Sequence, residues 1–322
     1  MKILLTGGTG FIGSRLAAVL AAAGHEVHAL VRDPGSLKLL QGIPVRLVPG
    51  GLPDVPALPP GLDRVFHIAG LTKSLNAEDY FNVNRSGTAS LLEALAGRKE
   101  RPRFVYLSSL SAAGPSIAGR PRREDDPPAP ISPYGKSKLA GEEEVRARAA
   151  RIPSVILRVG VVYGPGDAEF ARFFKFIRRG WLPCFGPSRQ PLSVCYVRDL
   201  VRALILAGDA EVDSGEVFHV GNPAASNFEE IGRLAARRLG RRVRAVRIPL
   251  AAVRAAARIS EASARRTGRA SIVNRQKLSE LEQPGWESDV GKARARLGFE
   301  TAYSLEEGLD ETLGWYLDQG WI

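Results

Sequence analysis

Cysteine is nearly absent. Only Cys184 and Cys195 occur in 322 residues, so no disulfide framework is expected and a reducing, cytoplasmic setting fits. The histidines His25, His28, His67 and His219 form no metal-ligand grouping with those cysteines, and no metal is expected. No apolar run approaches the roughly 20 residues that span a bilayer. Lys2 is followed at once by a strand-like run and a glycine turn, which is not the pattern of a signal peptide. Internal repeats and low-complexity segments are also missing. Acid is scarce: 34 Asp and Glu stand against 45 Lys and Arg, a net charge of +11. Such an excess suits nucleic acid, anionic lipid or an anionic substrate. It is spread widely, with some concentration in Arg237–Arg269, and no aromatic-interleaved basic motif accompanies it. The expected reading is therefore a solvated, arginine-rich surface with no nucleic-acid partner. The 44% apolar content supports a full core and excludes a disordered chain.

The informative stretch is Met1-Lys-Ile-Leu-Leu-Thr-Gly-Gly-Thr-Gly-Phe-Ile-Gly13. Ile3–Leu5 reads as a buried strand, Gly7 starts a tight turn, and Ser14–Ala23 has the Ala/Leu content of a helix. Glycines 8, 10 and 13 satisfy G-x-G-x-x-G between strand and helix, the context that gives this weak pattern meaning. Without β-carbons the backbone can approach a pyrophosphate, and the first helical N–H groups face its negative charge.

Further strands are expected at Glu26–Val31, Val45–Val48, Arg64–Ile68 and Phe104–Leu107, with a helix over Asn82–Ala96. Strand–helix alternation predicts an α/β, Rossmann-type, doubly wound parallel sheet that binds ligands at the strands' C-terminal ends. An acid at the tip of the second strand normally accepts hydrogen bonds from the ribose of NAD. Here the tip reads Val31-Arg32-Asp33-Pro34. An arginine there can pair with a 2′-phosphate, so NADP(H) is expected to be preferred, with Asp33 keeping NAD(H) open.

The Arg120–Pro130 segment is polar and proline-rich, so it reads as a loop. It leads into Ser132-Pro133-Tyr134-Gly-Lys-Ser-Lys138. Ser132 suits an N-cap and Pro133 the first helical position. Tyr134 and Lys138 then share one helix face. A free phenol has a pKa near 10, and a nearby ammonium would lower it. Tyr134 is the candidate acid/base for a hydride transfer, and Ser109, at a strand end, the candidate holder of the reacting oxygen.

These motifs together resemble the extended short-chain dehydrogenases/reductases, the NAD(P)-dependent epimerase/dehydratase group, over nearly the whole chain. The matching stretches are Thr6–Gly13, Val65–Gly70, Asn82–Thr88, Val105–Ser109, Tyr134–Lys138, Arg158 to Asp167, and Val197–Leu200, with Lys292–Phe299 and Ser304–Leu309 typical of the C-terminal lobe. The resemblance implies a catalytic set of Ser109, Tyr134 and Lys138. It places cofactor contacts at Gly7, Gly10, Phe11, Ile12, Gly13, Arg32, Leu52, Ala69, Gly70, Asn84, Ser108, Tyr134, Lys138 and Val161. Substrate contacts fall at Thr72, Ser111, Tyr163 and Leu192. Residues 1–165, with a returning strand within 193–221, would form the cofactor domain; 166–192 and 222–322 would form a smaller, mostly helical substrate lobe. Dimers are usual in the group, so a homodimer is an expectation.

Two departures bear on the substrate. Members acting on nucleotide-linked sugars usually carry an asparagine where this chain has Val161, and a diphosphate-binding arginine where it has Leu192. Losing both removes charge-assisted hydrogen bonds and favours a bulky, apolar small-molecule substrate, unless Arg189 substitutes. The pattern is closer to the 3β-hydroxysteroid dehydrogenase and dihydroflavonol-reductase-like branches. Gly50-Gly51-Leu52 also replaces the group's frequent Gly-Asp-Leu. The Ala/Arg-rich Leu250–Arg269 reads as a solvated lid helix, the other reading being peripheral contact with anionic membrane. The alternatives to an oxidoreductase are a nucleotide-sugar epimerase/dehydratase and a non-catalytic NADP-binding protein.

Overall fold

The computed structural model describes residues 1–33, 35, 37–117, 120–185, 189–267 and 275–322. Its strands are β1 (Lys2–Thr6), β2 (Glu26–Val31), β3 (Arg46–Pro49), β4 (Arg64–His67), β5 (Arg103–Ser109), β6 (Ser154–Val159), β7 (Val161–Tyr163), β8 (Trp181–Phe185), β9 (Val194–Tyr196), β10 (Glu216–Val220) and β11 (Arg244–Ile248). Seven of them form one sheet in the order β10-β6-β5-β4-β1-β2-β3, and all its pairings are parallel. β7 pairs with β9, and β8 with β11.

The chain order reverses between β1 and β4, so their C-terminal ends open the crevice where an open α/β sheet binds ligands. The strands are apolar on both sides because helices cover both faces. Leu16, Leu20, Leu200 and Leu204 pack on one face; Leu91, Leu92, Val145 and Ile152 pack on the other. Each such leucine contributes roughly 1.5–3 kcal/mol. A third cluster lies outside the sheet and gathers Phe174, Leu182, Ile231, Leu313 and Tyr316.

The first helix starts at Phe11, earlier than its composition suggested, because the glycine turn feeds it directly. The segment expected as one helix over 82–96 is a short helix Ala77–Phe81, a π-turn Asn82–Ser86 and a helix Gly87–Ala96. The widened turn frees the Asn84 side chain to serve a neighbouring loop, which no apolar periodicity encodes. The lid segment is helical over Leu250–Thr267. Pro34, Gly268 and Arg269 lie outside the described residues.

Candidate active site

The crevice is built from glycine. Gly7 leaves β1 with φ +73°, and a β-carbon there would sit 2.7 Å from the Ala69 nitrogen at the end of β4. A β-carbon on Gly13 would overlap the Gly7 carbonyl oxygen. Gly10 caps the Phe11–Ala22 helix without a side-chain bond, and the first turn holds no acid. Free N–H groups at an uncapped helix end are what a pyrophosphate requires, so the turn fits a dinucleotide. Phe11 and Ile12 reach across to the outer cluster.

Tyr134 and Lys138 are carried by helix Pro133–Ala147, whose start is set by local chemistry: Ser132 Oγ accepts the Gly135 N–H at 3.1 Å, and Pro133 occupies the first turn. Both side chains run to the C-terminal end of β5. The Tyr134 hydroxyl is set beside Ser109, whose side chain acts to lower its pKa, and Ser109 Oγ accepts the Ser111 N–H at 3.1 Å. Lys138 Nζ donates to Leu107 O at 2.7 Å and lies 4.2 Å from the Tyr106 ring centre. A β-carbon on Gly70 would stand 3.2 Å from Asn84 Oδ1 and 3.6 Å from Lys138 Nζ. Ser109, Tyr134, Lys138, Gly70 and Asn84 are thus brought together.

The electrostatics differ from expectation. Burial pushes the Tyr134 phenol up to about 12, against the Ser109 hydrogen bond, which lowers it, and Glu280 on the Arg275–Leu281 helix adds to the rise. Burial in turn pulls Lys138 down to about 7, opposed by Glu142. An unfolded lysine keeps its proton to about 10.5. Between about pH 7 and 10 the unfolded chain therefore binds more protons than the folded one, and stability rises with pH. Denaturant titrations at about pH 7 and 9 should show a larger gain for wild type than for Lys138→Met. An equal gain in the two proteins would remove this account of Lys138.

Asn84 is a holder of backbone. Its Oδ1 accepts the Leu71 N–H at 2.7 Å, and its Nδ2 donates to Leu71 O and Ser137 Oγ at 3.0 and 2.9 Å. Behind it runs a chain that the sequence reading missed. Thr6 Oγ1 meets His67 Nδ1 at 2.6 Å, His67 Nε2 meets Thr88 Oγ1 at 2.9 Å, and Thr88 donates to Asn84 O at 2.7 Å. Burial, with Lys138 adding, drives His67 down to about 3, so its ring is neutral. Only one proton order, with Nε2 donating to Thr88, then satisfies the chain.

Three expected site residues face elsewhere. Ser108 donates to Glu142 Oε1 at 2.6 Å on the opposite side of β5 from Ser109, because strand side chains alternate. Its side chain is therefore not in the crevice. Tyr163 is 2% exposed and packs on Phe170 and Tyr196, and Leu192 is 3% exposed in the same outer cluster. Both are packed in the core of that cluster. Leu192 exchanges backbone bonds with Ser226, which draws it inward.

The other expected residues distribute as follows. Leu52 packs on Gly87, where a β-carbon would sit 2.8 Å away. Val161 donates its N–H to Ser193 O at 2.9 Å, and Thr72 is exposed. Arg32 is exposed at the end of β2, its stem lying along Gly51, where a β-carbon would be 3.4 Å from Arg32 Cγ. Asp33 is occupied by the Gly35 N–H at 2.9 Å. Arg189 leans toward Glu229 at 3.9 Å.

Glu142 and Arg158 were also missed as a pair. Arg158, 1% exposed, binds Glu142 through Nε at 2.8 Å and a terminal nitrogen at 2.7 Å. Burial opposes ionisation of Glu142, but the Arg158 and Ser108 bonds and the Arg146 charge outweigh it and hold the carboxyl below its usual value. The signal was present: Glu142 is one turn beyond Lys138, and Arg158 is the lone charge in the apolar run Val155–Val159.

Known proteins agree with this architecture. The model of the NAD dependent epimerase/dehydratase family matches residues 3–221. The ceramide reductase of Caulobacter vibrioides is 29% identical, over 99% of this chain and 96% of the relative. The 3 beta-hydroxysteroid dehydrogenase/Delta 5-->4-isomerase of Mycobacterium tuberculosis is 28% identical, over 98% and 90%. Among solved structures, the UDP-glucuronic acid 4-epimerase of Bacillus cereus with NAD superposes with a TM-score of 0.80 at 24% identity, covering 100% of both chains. That last likeness shows the fold. The chain belongs to the NAD dependent epimerase/dehydratase family, and is an enzyme of the extended short-chain dehydrogenase/reductase type.

Proposed function

We propose that this protein is an NADP(H)-dependent oxidoreductase interconverting a secondary alcohol and a ketone on a bulky, largely apolar substrate. The observation that carries the reading is the convergence of Tyr134, Ser109 and Lys138 on the end of β5, beside the glycine crevice. Gly7, Gly10 and Gly13 would admit the dinucleotide, with Gly70 and Lys138 near its reactive end. When bound, that group supplies or accepts a hydride. The rest falls to the chain. Tyr134, held protonated by burial, gives its proton to the substrate oxygen, and the Ser109 hydroxyl donates a hydrogen bond to that oxygen. A protonated phenol at neutral pH is an acid, which suits reduction of the ketone.

The substrate class is supported by what the substrate side does not offer. Val161 carries no polar side chain, and the Arg189 guanidinium lies 3.9 Å from Glu229. Relatives named for ceramide and for a 3β-hydroxysteroid are similar over nearly the full chain. We assign residues 166–192 and 222–322 to the substrate side.

The test is the near-UV absorbance of NADPH, and of NADH in parallel, with 3-ketosteroids, long-chain keto-amides, β-keto acids and UDP- or dTDP-sugars. Ketone-dependent loss of NADPH is expected. Conversion of a sugar nucleotide without net NADPH loss would instead make the protein an epimerase. Arg32 supports the cofactor choice, since among the described residues no carboxylate pairs with it. A charge-assisted bond to a phosphate is worth about 1.5–3 kcal/mol. Arg32→Ser should therefore raise the KM for NADPH on the order of 10–100-fold and leave that for NADH within about twofold. Equal effects on both cofactors would refute the assignment.

A further inference from the structure

The outer cluster is roofed by the two-stranded ribbon of β8 and β11, paired with each other and with no other strand. Along β8, Leu182 and Cys184 point inward and are 0% and 3% exposed, while Trp181 and Phe185 point outward at 49% and 40%. The inward side is closed tightly, since a β-carbon on Gly232 would overlap Leu182. The parallel register sets Trp181 beside Arg244, Pro183 beside Val246, and Phe185 beside Ile248. Registered partners share a face, so two aromatics, a proline and two aliphatics form one outward apolar stripe.

Cations surround it. Arg178 and Arg179 precede β8 and are exposed; Arg241 and Arg242 lie before β11 and Arg244 at its start, and they are exposed too. Among the described residues none of these is paired with a carboxylate, although Arg189, Arg238 and Arg254 nearby in the chain are. Residues 237–258 contain no acid at all.

We propose that this ribbon docks the protein on the surface of an anionic bilayer. Interfacial tryptophan and phenylalanine enter the headgroup boundary while arginines meet anionic lipid, and neither element alone suffices. Nucleic acid would use the arginines and leave the apolar stripe in water. Further along the chain, the Gln190 side chain donates to Glu280 O and Gln283 O at 3.0 and 2.6 Å. That segment carries Glu280, whose charge acts on Tyr134. The proposal does not depend on the identity of the substrate.

The test is co-sedimentation of the full chain with phosphatidylcholine vesicles, and with vesicles holding about one-third phosphatidylglycerol. Wild type should pellet with the anionic vesicles on the order of tenfold more than with neutral ones, and less as salt rises. Arg242→Glu/Arg244→Glu should abolish this, and Trp181→Ser/Phe185→Ser should reduce it on the order of tenfold, each with an unchanged melting temperature. Absence of wild-type binding would overturn the proposal, as would equal binding by folded variants. Binding of a labelled duplex in place of vesicles would assign the face to nucleic acid. A wild-type dimer that Trp181→Ser dissociates, without vesicle binding, would assign it to a second copy. Because the readout is lipid binding, it stands whether or not any ketone is reduced.

Discussion

Tyr134→Phe should lower kcat for ketone reduction by roughly 10²–10⁴-fold, the contribution typical of a positioned proton donor. The ring is fixed by contacts the substitution keeps: its edge-on approach to Tyr80 at 6.2 Å and its place in the first turn of the helix. Only the hydroxyl beside Ser109 is lost. NADPH affinity and melting temperature should therefore be close to wild type, and the loss should appear in turnover. Ser109→Ala should be milder, because Tyr134 still supplies the proton while the oxygen loses one donor. Near-normal turnover of Tyr134→Phe, measured by NADPH consumption, would sink the proposed mechanism. A second signature is pH. With the phenol raised to about 12, reduction should not fall through neutral pH from loss of this proton. Any decline near pH 7 would report Lys138, which titrates at about 7.

The largest effect on stability should come from Glu142→Gln. Removing one member of a buried ion pair leaves an uncompensated charge and costs about 3–5 kcal/mol. Among the described residues Arg158 has no second carboxylate bonded to it, and one of its terminal nitrogens is without a partner. The Glu142–Arg158 bonds tie the helix carrying Tyr134 and Lys138 to β6, and Ser108 ties it to β5. The same variant should therefore lower kcat as well as the denaturation midpoint. A Glu142→Leu/Arg158→Met double variant replaces the pair by apolar groups, which is often neutral or stabilising. It should recover most of the lost stability. Equal destabilisation by single and double variants, in chemical denaturation, would show that packing and not charge dominates at this position.

Much of the site was legible because it rests on local chemistry. A helix start needs only Ser132 and Pro133, a phosphate turn needs only missing β-carbons, and an i,i+4 pair needs only a helix. What escaped was long-range. His67 is linked to Thr6 and Thr88 through residues 61 and 21 positions away. Ser108 and Ser109 are neighbours in the chain but lie on opposite sides of β5, one in an ion-pair network and one in the crevice. Tyr163 and Leu192 read as substrate contacts by motif position, yet the outer cluster takes both into its core.

The sequence by itself determined the parallel sheet, the dinucleotide turn and the Tyr134–Lys138 helix, since strand–helix alternation, glycine spacing and capping act over a few residues at a time. The tertiary structure alone decided the protonation of the site and the character of its surface. Lys138 is bonded to a carbonyl on another element. Burial, which depends on everything packed around a group, raises one pKa and lowers the other. The outward face of β8 and β11 exists only because two strands 63 positions apart align Trp181 with Arg244.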